Sequence, residues 1–314
     1  MSHRVLDQIR SNNHRAISRL ITAIESGQDV LEDEFAELFA HSHHALRIGF
    51  TGPPGAGKST LINQCIAHLL QKDLSVGVVA VDPTSPFTGG ALLGDRVRMN
   101  RFFGDDRVFI RSMGSQGDLG GLAKKAQDVG DVLAASGKDI ILFETVGVGQ
   151  GEHDIIKAVD FTVVVLVPES GDEIQLMKAG LIELADAFII NKADREGAGR
   201  LTQLLKNLLQ NYSPKRADIP AVYSTIAFRN EGVKEAVDGI LNSIRLEKEK
   251  GIFDDRRIKR YRQRVATLIH DRLLNTFWNE SRETQLLQAT QSIESVKRSP
   301  YKIAQELLDS FRYE

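Results

Sequence analysis

The chain has 314 residues, 42% hydrophobic and 26% charged, with a net charge of −2. That balance supports a packed core and gives no general attraction to nucleic acid or anionic lipid. A single cysteine, Cys65, excludes an internal disulfide and reads as a small core residue in a reducing compartment, the cytoplasm.

Residues 4–26 carry Val5, Leu6, Ile9, Ile17, Leu20, Ile21 and Ile24 at helical spacing, and Gly27 makes a natural stop. A second helix is expected over 31–40. His41, His43 and His44 follow in a polar link. No cysteine or carboxylate stands at ligand spacing from them, so they read as a solvated connection rather than a metal site.

From Leu46 onward apolar runs alternate with helical patterns. Strands are expected at 46–51, 75–82, 107–111, 139–144, 161–167, 187–191 and 220–224. Several are continuous apolar runs, as in strands covered on both faces. The alternation predicts an α/β fold, a doubly wound and mostly parallel sheet of about seven strands with helical N- and C-terminal extensions. The longest apolar run, 161–167, is too short to cross a membrane, and the N-terminus lacks a signal-peptide core. A helix over 231–250 closes the domain, and 254–281 and 284–311 read as further helices. The expected division is an N-terminal helical extension (1–45), a nucleotide domain (46–250) and a C-terminal helical arm (251–314). The arm opens with Arg256, Arg257, Lys259, Arg260, Arg262 and Arg264, then carries Leu268, Ile269, Leu273, Leu274, Phe277 and Trp278. The basic stretch reads as a solvated face or dimer contact, and apolar surface of this extent has to pack on its own domain or on a second copy.

The first strand runs into Gly52-Pro53-Pro54-Gly55-Ala56-Gly57-Lys58-Ser59-Thr60, a complete G-x-x-x-x-G-K-[ST] loop opening a helix. Gly55 and Gly57 let the backbone turn its N–H groups toward phosphate oxygens at the positive end of that helix. Gly55, Ala56, Gly57, Lys58, Ser59 and Thr60 are therefore the phosphate-binding candidates. Lys58 would reach the β- and γ-phosphates, and the Ser59 hydroxyl would face Mg²⁺.

Asn191-Lys192-Ala193-Asp194 follows a later strand, the N-K-x-D pattern that reads a base. Asp194 would accept from guanine N1–H and the exocyclic amine, a pair that adenine lacks, so the nucleotide is expected to be GTP. Asn191 would contact the guanine edge and the Lys192 stem would lie over the ring. A capping role for Asn191 and Asp194 at the next helix is compatible with this. Ser224-Thr225 stands where a second base-contacting loop, often Ser-Ala, is expected. Ser224 is the candidate there, and Thr225 departs from the pattern.

Strand 139–144 ends in Glu144-Thr145-Val146-Gly147. Glu144 would hold Mg²⁺ through water, with a strand-end cap as the plainer alternative. Gly147 would offer its N–H to the γ-phosphate as a switch pivot. Asp82 at a strand end and Asp95 beyond a Pro- and Gly-rich loop are placed to meet Mg²⁺ or its waters; Asp95 could equally cap a helix. No glutamine directly follows Gly147. Slow intrinsic hydrolysis, accelerated when a partner orders the switches, is the expectation.

These residues together resemble the cobalamin-chaperone GTPases of the MeaB/ArgK type. The resemblance runs through the phosphate loop, Val81-Asp82-Pro83-Thr84-Ser85, Gly89-Gly90 to Gly94-Asp95-Arg96, Glu144 to Gln150, Asn191 to Asp194, and Ser299-Pro300-Tyr301. It implies a homodimeric GTPase, with Mg²⁺ as its metal. Such a GTPase binds an adenosylcobalamin-dependent acyl-CoA mutase, such as methylmalonyl-CoA mutase, and gates cofactor loading, protection or rescue. Cobalamin would be met only through that partner. The resemblance also carries Lys58, Ser59, Asp82, Asp95 and Glu144 over as phosphate and Mg²⁺ positions, and 168–178 as an additional switch. Where many relatives have Gly and a small residue after the proline, this chain has Glu169-Ser170. Two other classes fit less well. A nickel-insertion GTPase usually needs Cys and His ligands, and a protein-targeting GTPase calls for a methionine-rich groove or basic domain that four methionines and this charge do not supply.

Overall fold

The computed structural model describes residues 3–27, 32–82, 100–102, 104–114, 119–145, 158–170, 181–212 and 219–312. They divide into two compact units, residues 1–253 and 254–314.

Seven parallel strands form the sheet of the first unit, in the order β3-β2-β4-β1-β5-β6-β7. They are β1 (Leu46–Thr51), β2 (Val76–Asp82), β3 (Val108–Gly114), β4 (Ile140–Thr145), β5 (Phe161–Leu166), β6 (Ala187–Asn191) and β7 (Ala221–Thr225). β3 runs three residues beyond its expected end, paired along its length with β2 from Val76↔Val108 to Asp82↔Gly114.

Helices cover both faces, which is why β1, β4, β5 and β6 are buried at every position. On one face α4 (Lys58–Leu70) and α8 (Val233–Glu249) bury Leu61, Ile62, Ile66, Val237 and Ile240 against Ile48, Phe50, Val78, Val163 and Ile189. On the other, α5 (Leu119–Ala135) covers β2 and β4 through Val129, Val132 and Leu133 on Val79, Val81, Ile141 and Phe143. Farther along that face the short α6 (Leu181–Leu184) adds Ile182, and α7 (Ala198–Tyr212) lays Leu201, Leu205 and Leu209 on Val164, Leu166, Phe188 and Ile190. Each such side chain, fully buried, contributes about 1.5–3 kcal/mol of transfer free energy.

The N-terminal stretch expected to be one helical run is two helices, α1 (His3–Arg10) and α2 (His14–Glu25). Asn12 adopts a left-handed φ of 58°, and the Asn13 side chain then caps α2 by accepting from Arg15 N and Ala16 N. Apolar spacing carries across the break because both helices bury onto α5. After α3 (Glu32–Ala40) the histidines serve the chain's own turn: His43 Nδ1 lies 2.8 Å from Ala40 O and His44 Nδ1 lies 3.0 Å from His41 O. Among the described residues no group of three or more His, Cys, Asp or Glu is placed to hold a metal ion.

Charges are buried at the amino end of the sheet. Arg47 on β1 pairs with Asp131 on α5, both nearly inaccessible, and the Asp160 carboxylate accepts from Arg47 N at 2.9 Å.

α9 (Ile252–Phe277) leads into the second unit, which also contains α10 (Glu280–Ala289) and α11 (Pro300–Arg312). The expected helix over 284–311 is interrupted, and Asn279 caps α10 by accepting from Arg282 N. Arg282 is the most buried side chain among the described residues of this unit, 1% exposed, donating to Phe277 O at 2.7 Å and lying over the Phe277 and Phe311 rings. Ile258, Tyr261, Val265, Leu268, Ile269 and Leu273 are exposed along α9. Among the described residues no helix is long and apolar enough to cross a membrane.

Candidate functional site

In an open parallel sheet, ligands sit beyond the carboxyl ends of the strands, where neighbouring connections diverge. β1 is flanked by β4 and β5, and the loop leaving it turns directly into α4.

The loop's glycines are required by backbone geometry at two points. Gly52 has φ 140°, and a Cβ there would stand 2.0 Å from Val165 O on β5. Gly57 has φ 84°, and a Cβ would stand 2.5 Å from Asn191 Nδ2. Between them Gly55 and Pro54 are exposed and Ala56 is buried. Lys58 begins α4, folded back so that Nζ donates to Gly52 O at 2.7 Å and Pro53 O at 3.0 Å. Its ammonium is thereby held inside the loop's concavity, where a phosphate chain would meet it.

Ser59 and Thr60 follow on the first turn of α4, both half-buried. Ser59 Oγ donates to Glu144 Oε1 at 2.6 Å. Glu144 is 3% exposed at the end of β4, level with Phe50 on β1 and Ala80 on β2. A hydroxyl and a carboxylate thus converge beside the lysine, a hard-oxygen pair of the kind Mg²⁺ takes alongside phosphate and water. Asp82 ends β2 by its backbone; its side chain, with Asp95 and Gly147, lies outside the described residues.

The base-reading candidates gather at the ends of β6 and β7. Asn191 is 2% exposed, and the protein uses both ends of its amide. Nδ2 donates to Ala56 O at 2.8 Å, while Oδ1 accepts from Thr225 Oγ1 at 3.1 Å and Ala227 N at 3.0 Å. One side chain therefore ties the phosphate loop to the loop after β7. Lys192 follows with a left-handed φ of 57°, and Ala193 N donates to Thr225 O at 3.0 Å. Asp194 is exposed at the loop's outer edge.

Thr225, which departs from the Ser-Ala pattern, faces inward and is 1% exposed, whereas Ser224 points outward. This follows from the period-2 alternation of a strand whose register sets Asn191 opposite Thr225. The backbone N–H that turns toward Asn191 is that of Ala227, a residue that carried no signal in the sequence. Cys65 lies buried in α4 with its thiol pushed up to about 12 by burial, which makes it inert packing.

A profile of the family described as methylmalonyl-CoA mutase-associated GTPase MeaB matches residues 17–282, a span that takes in every element of this site. The chain belongs to this family. A Pyrococcus abyssi protein named as a GTPase is 44% identical over 272 residues, covering 86% of this chain and 84% of the relative. The methylmalonic aciduria type A homolog of Mus musculus, named as mitochondrial, is 33% identical over 276 residues, covering 85% of this chain and 65% of the relative. The crystal structure of a LAO/AO transport system kinase superposes with a TM-score of 0.70 at 21% identity, covering 98% of this chain and 97% of that one, and shows the shared fold. As a MeaB-family member the protein is a P-loop GTPase, and its sheet is the nucleotide-binding fold of that class.

Proposed function

We propose that this GTPase serves as a chaperone of an adenosylcobalamin-dependent acyl-CoA mutase, such as methylmalonyl-CoA mutase, with GTP hydrolysis timing cofactor loading, protection or reactivation. The support is the family itself, together with a site in which the phosphate loop and the base loop are joined through Asn191. In this reading Gly55 to Thr60 cradle the phosphates, and Lys58 leaves its loop carbonyls for the β- and γ-phosphate oxygens. Asp194 accepts from the guanine edge, Lys192 covers the ring, and the backbone beyond Ser224 completes the base pocket.

Mg²⁺ fits the donors at Ser59 and Glu144, and Asp82 and Asp95 are proposed to complete its surroundings. The ion supplies charge neutralisation on the β- and γ-phosphates. Glu144, accepting from Ser59, orients that hydroxyl and keeps negative charge at the end of β4. Gly147 is assigned the γ-phosphate contact. Cobalamin belongs to the partner enzyme.

The protein is proposed to act as a homodimer, with the exposed apolar side chains of α9 covered by a second copy. The buried, inert Cys65 fits the reducing cytoplasm.

The test is GTP turnover by the purified protein, alone and with a candidate acyl-CoA mutase. A slow basal rate that rises with the mutase is the expected result. A rate indifferent to every cobalamin enzyme tried would overturn the chaperone reading and leave the GTPase.

A further inference from the structure

The turn Asn191–Gly197 presents Lys192 and Asp194, yet little within it fixes its shape. Lys192 is a non-glycine residue at φ 57°, a left-handed conformation that persists only where neighbours enforce it. Asp194, Arg195 and Glu196 are exposed. The internal bond is Arg195 N to Lys192 O at 3.0 Å. Beyond the buried Asn191 amide at its start and the bond from Ala198 N to Arg195 O at 3.3 Å at its end, two ties reach the turn from outside. One is backbone, Ala193 N to Thr225 O. The other crosses to the neighbouring connection: the Arg195 guanidinium bonds the Glu169 carboxylate, in the short 3₁₀ turn Pro168–Ser170 that leaves β5. The two turns also lie close together, since a Cβ added at Gly197 would stand 3.9 Å from Pro168 Cβ. The Glu169 carboxyl is held below the usual carboxylate range, first by the Arg195 bond and further by the positive charges of Arg195 and Lys192, so it is ionised at neutral pH.

We propose that Glu169 is a positioning residue for guanine recognition: through Arg195 it clamps the turn carrying Lys192 and Asp194, and so slows nucleotide release. The inference rests on the reading of Asp194 as the base contact. It gives a role to the charge that stands after Pro168 in this chain. Both side chains are about half exposed, 51% for Glu169 and 49% for Arg195. The clamp is therefore modest and sensitive to salt, an effect of about two- to five-fold in rate.

The experiment is stopped-flow release of a fluorescent GDP analogue from the full chain. The variants are Glu169→Gln, Arg195→Gln, both together, and the exchange Glu169→Arg with Arg195→Glu. Each single change is expected to raise the release rate about two- to five-fold at low salt, and the double change no further than one of them. The charge exchange is expected to restore slow release, and at about 0.5 M salt the differences should vanish. The urea midpoint should stay constant throughout. Singles that leave the rate unchanged, or effects that multiply in the double variant, overturn the clamp. Asp194→Asn is measured in parallel for its preference between GTP and xanthosine triphosphate. If that preference shifts while the pair proves uncoupled, the clamp fails and the base reading stands; if it does not shift, both fail.

Discussion

Asn191 Nδ2 donates to the carbonyl of Ala56 at 2.8 Å, across 135 positions of sequence. A residue of the N-K-x-D stretch thus ties down the loop between β1 and α4. The same amide accepts from Thr225 and Ala227, so three loops from three strands share one buried side chain. Gly57 is part of this arrangement, because only a residue without Cβ leaves room for the amide.

Asn191→Ala should consequently do more than weaken base recognition. It strands the Ala56 carbonyl, the Thr225 hydroxyl and the Ala227 N–H in a buried setting, at about 1–3 kcal/mol for each group that water cannot reach. We expect a lower urea midpoint and at least about a tenfold loss of affinity for GDP. An unchanged midpoint with a pure base-preference effect would show that the tie is not structural.

The loop's glycines should separate in severity. Gly52→Ala drives a Cβ to 2.0 Å from Val165 O, which is backbone and cannot swing aside. A loss of about 3 kcal/mol or more follows, enough to compromise folding. Gly55 has φ 75° with nothing within 4 Å of an added Cβ, so Gly55→Ala carries only the left-handed penalty of about 1–2 kcal/mol. Thermal unfolding of the two variants checks the order; equal losses would contradict the close approach to β5.

The Ser59–Glu144 hydrogen bond predicts linked metal behaviour. Ser59→Ala removes a proposed ligand, and Glu144→Gln removes charge while keeping an acceptor for the hydroxyl. Turnover titrated with Mg²⁺ should need about 10–100-fold more metal in either variant. A half-saturating Mg²⁺ concentration that stays put in both would remove these two residues from the metal's surroundings.

The sheet was legible because its strands are apolar on both faces and its turns fall at strong breakers. The loop from Gly52 to Ser59 was legible because few sequences place those residue types between a strand and a helix. What escaped was of two kinds. Asn12 breaks the run expected over 4–26, and residues 290–299 break the one expected over 284–311, so periodicity alone joined segments that turns divide. Buried polar ties such as Arg47–Asp131 and Asn191–Thr225 link residues far apart in sequence, and nothing local marks them. Thr225 came nearest to discovery, as a departure from a pattern whose purpose became clear only from the strand register.

Arg282 reads in sequence as a surface charge, yet it is 1% exposed between the Phe277 and Phe311 rings and donates to Phe277 O at 2.7 Å. Arg282→Ala should destabilise the second unit by about 2–4 kcal/mol, through lost stacking, hydrogen bonds and packing. Limited proteolysis should then cut within residues 254–314 at rates at which the unaltered chain resists, while residues 1–253 remain protected. Cleavage patterns indistinguishable from those of the unaltered protein would count against a central role for this side chain.

Lys138 offers a test by pH. It is 1% exposed and donates to Asp106 O at 2.7 Å, a carbonyl that also accepts from Asn12 Nδ2 at 2.8 Å. Burial lowers its pKa from the ordinary 10.5 to about 8, against the opposing charges of Asp106, Asp105 and Asp139. Below about pH 8 both the folded and unfolded chains hold the proton, and the cost of burying the charge is fully present. Between about pH 8 and the ordinary lysine range the unfolded chain binds a proton that the folded chain has released. Stability should therefore rise with pH through that window as far as this group is concerned. Lys138→Met removes the titration, so the difference in stability between the two proteins should change steadily from about pH 7.5 to about pH 10. Urea midpoints at both ends measure it. Parallel pH profiles for the two proteins would mean that Lys138 titrates as a solvated lysine does.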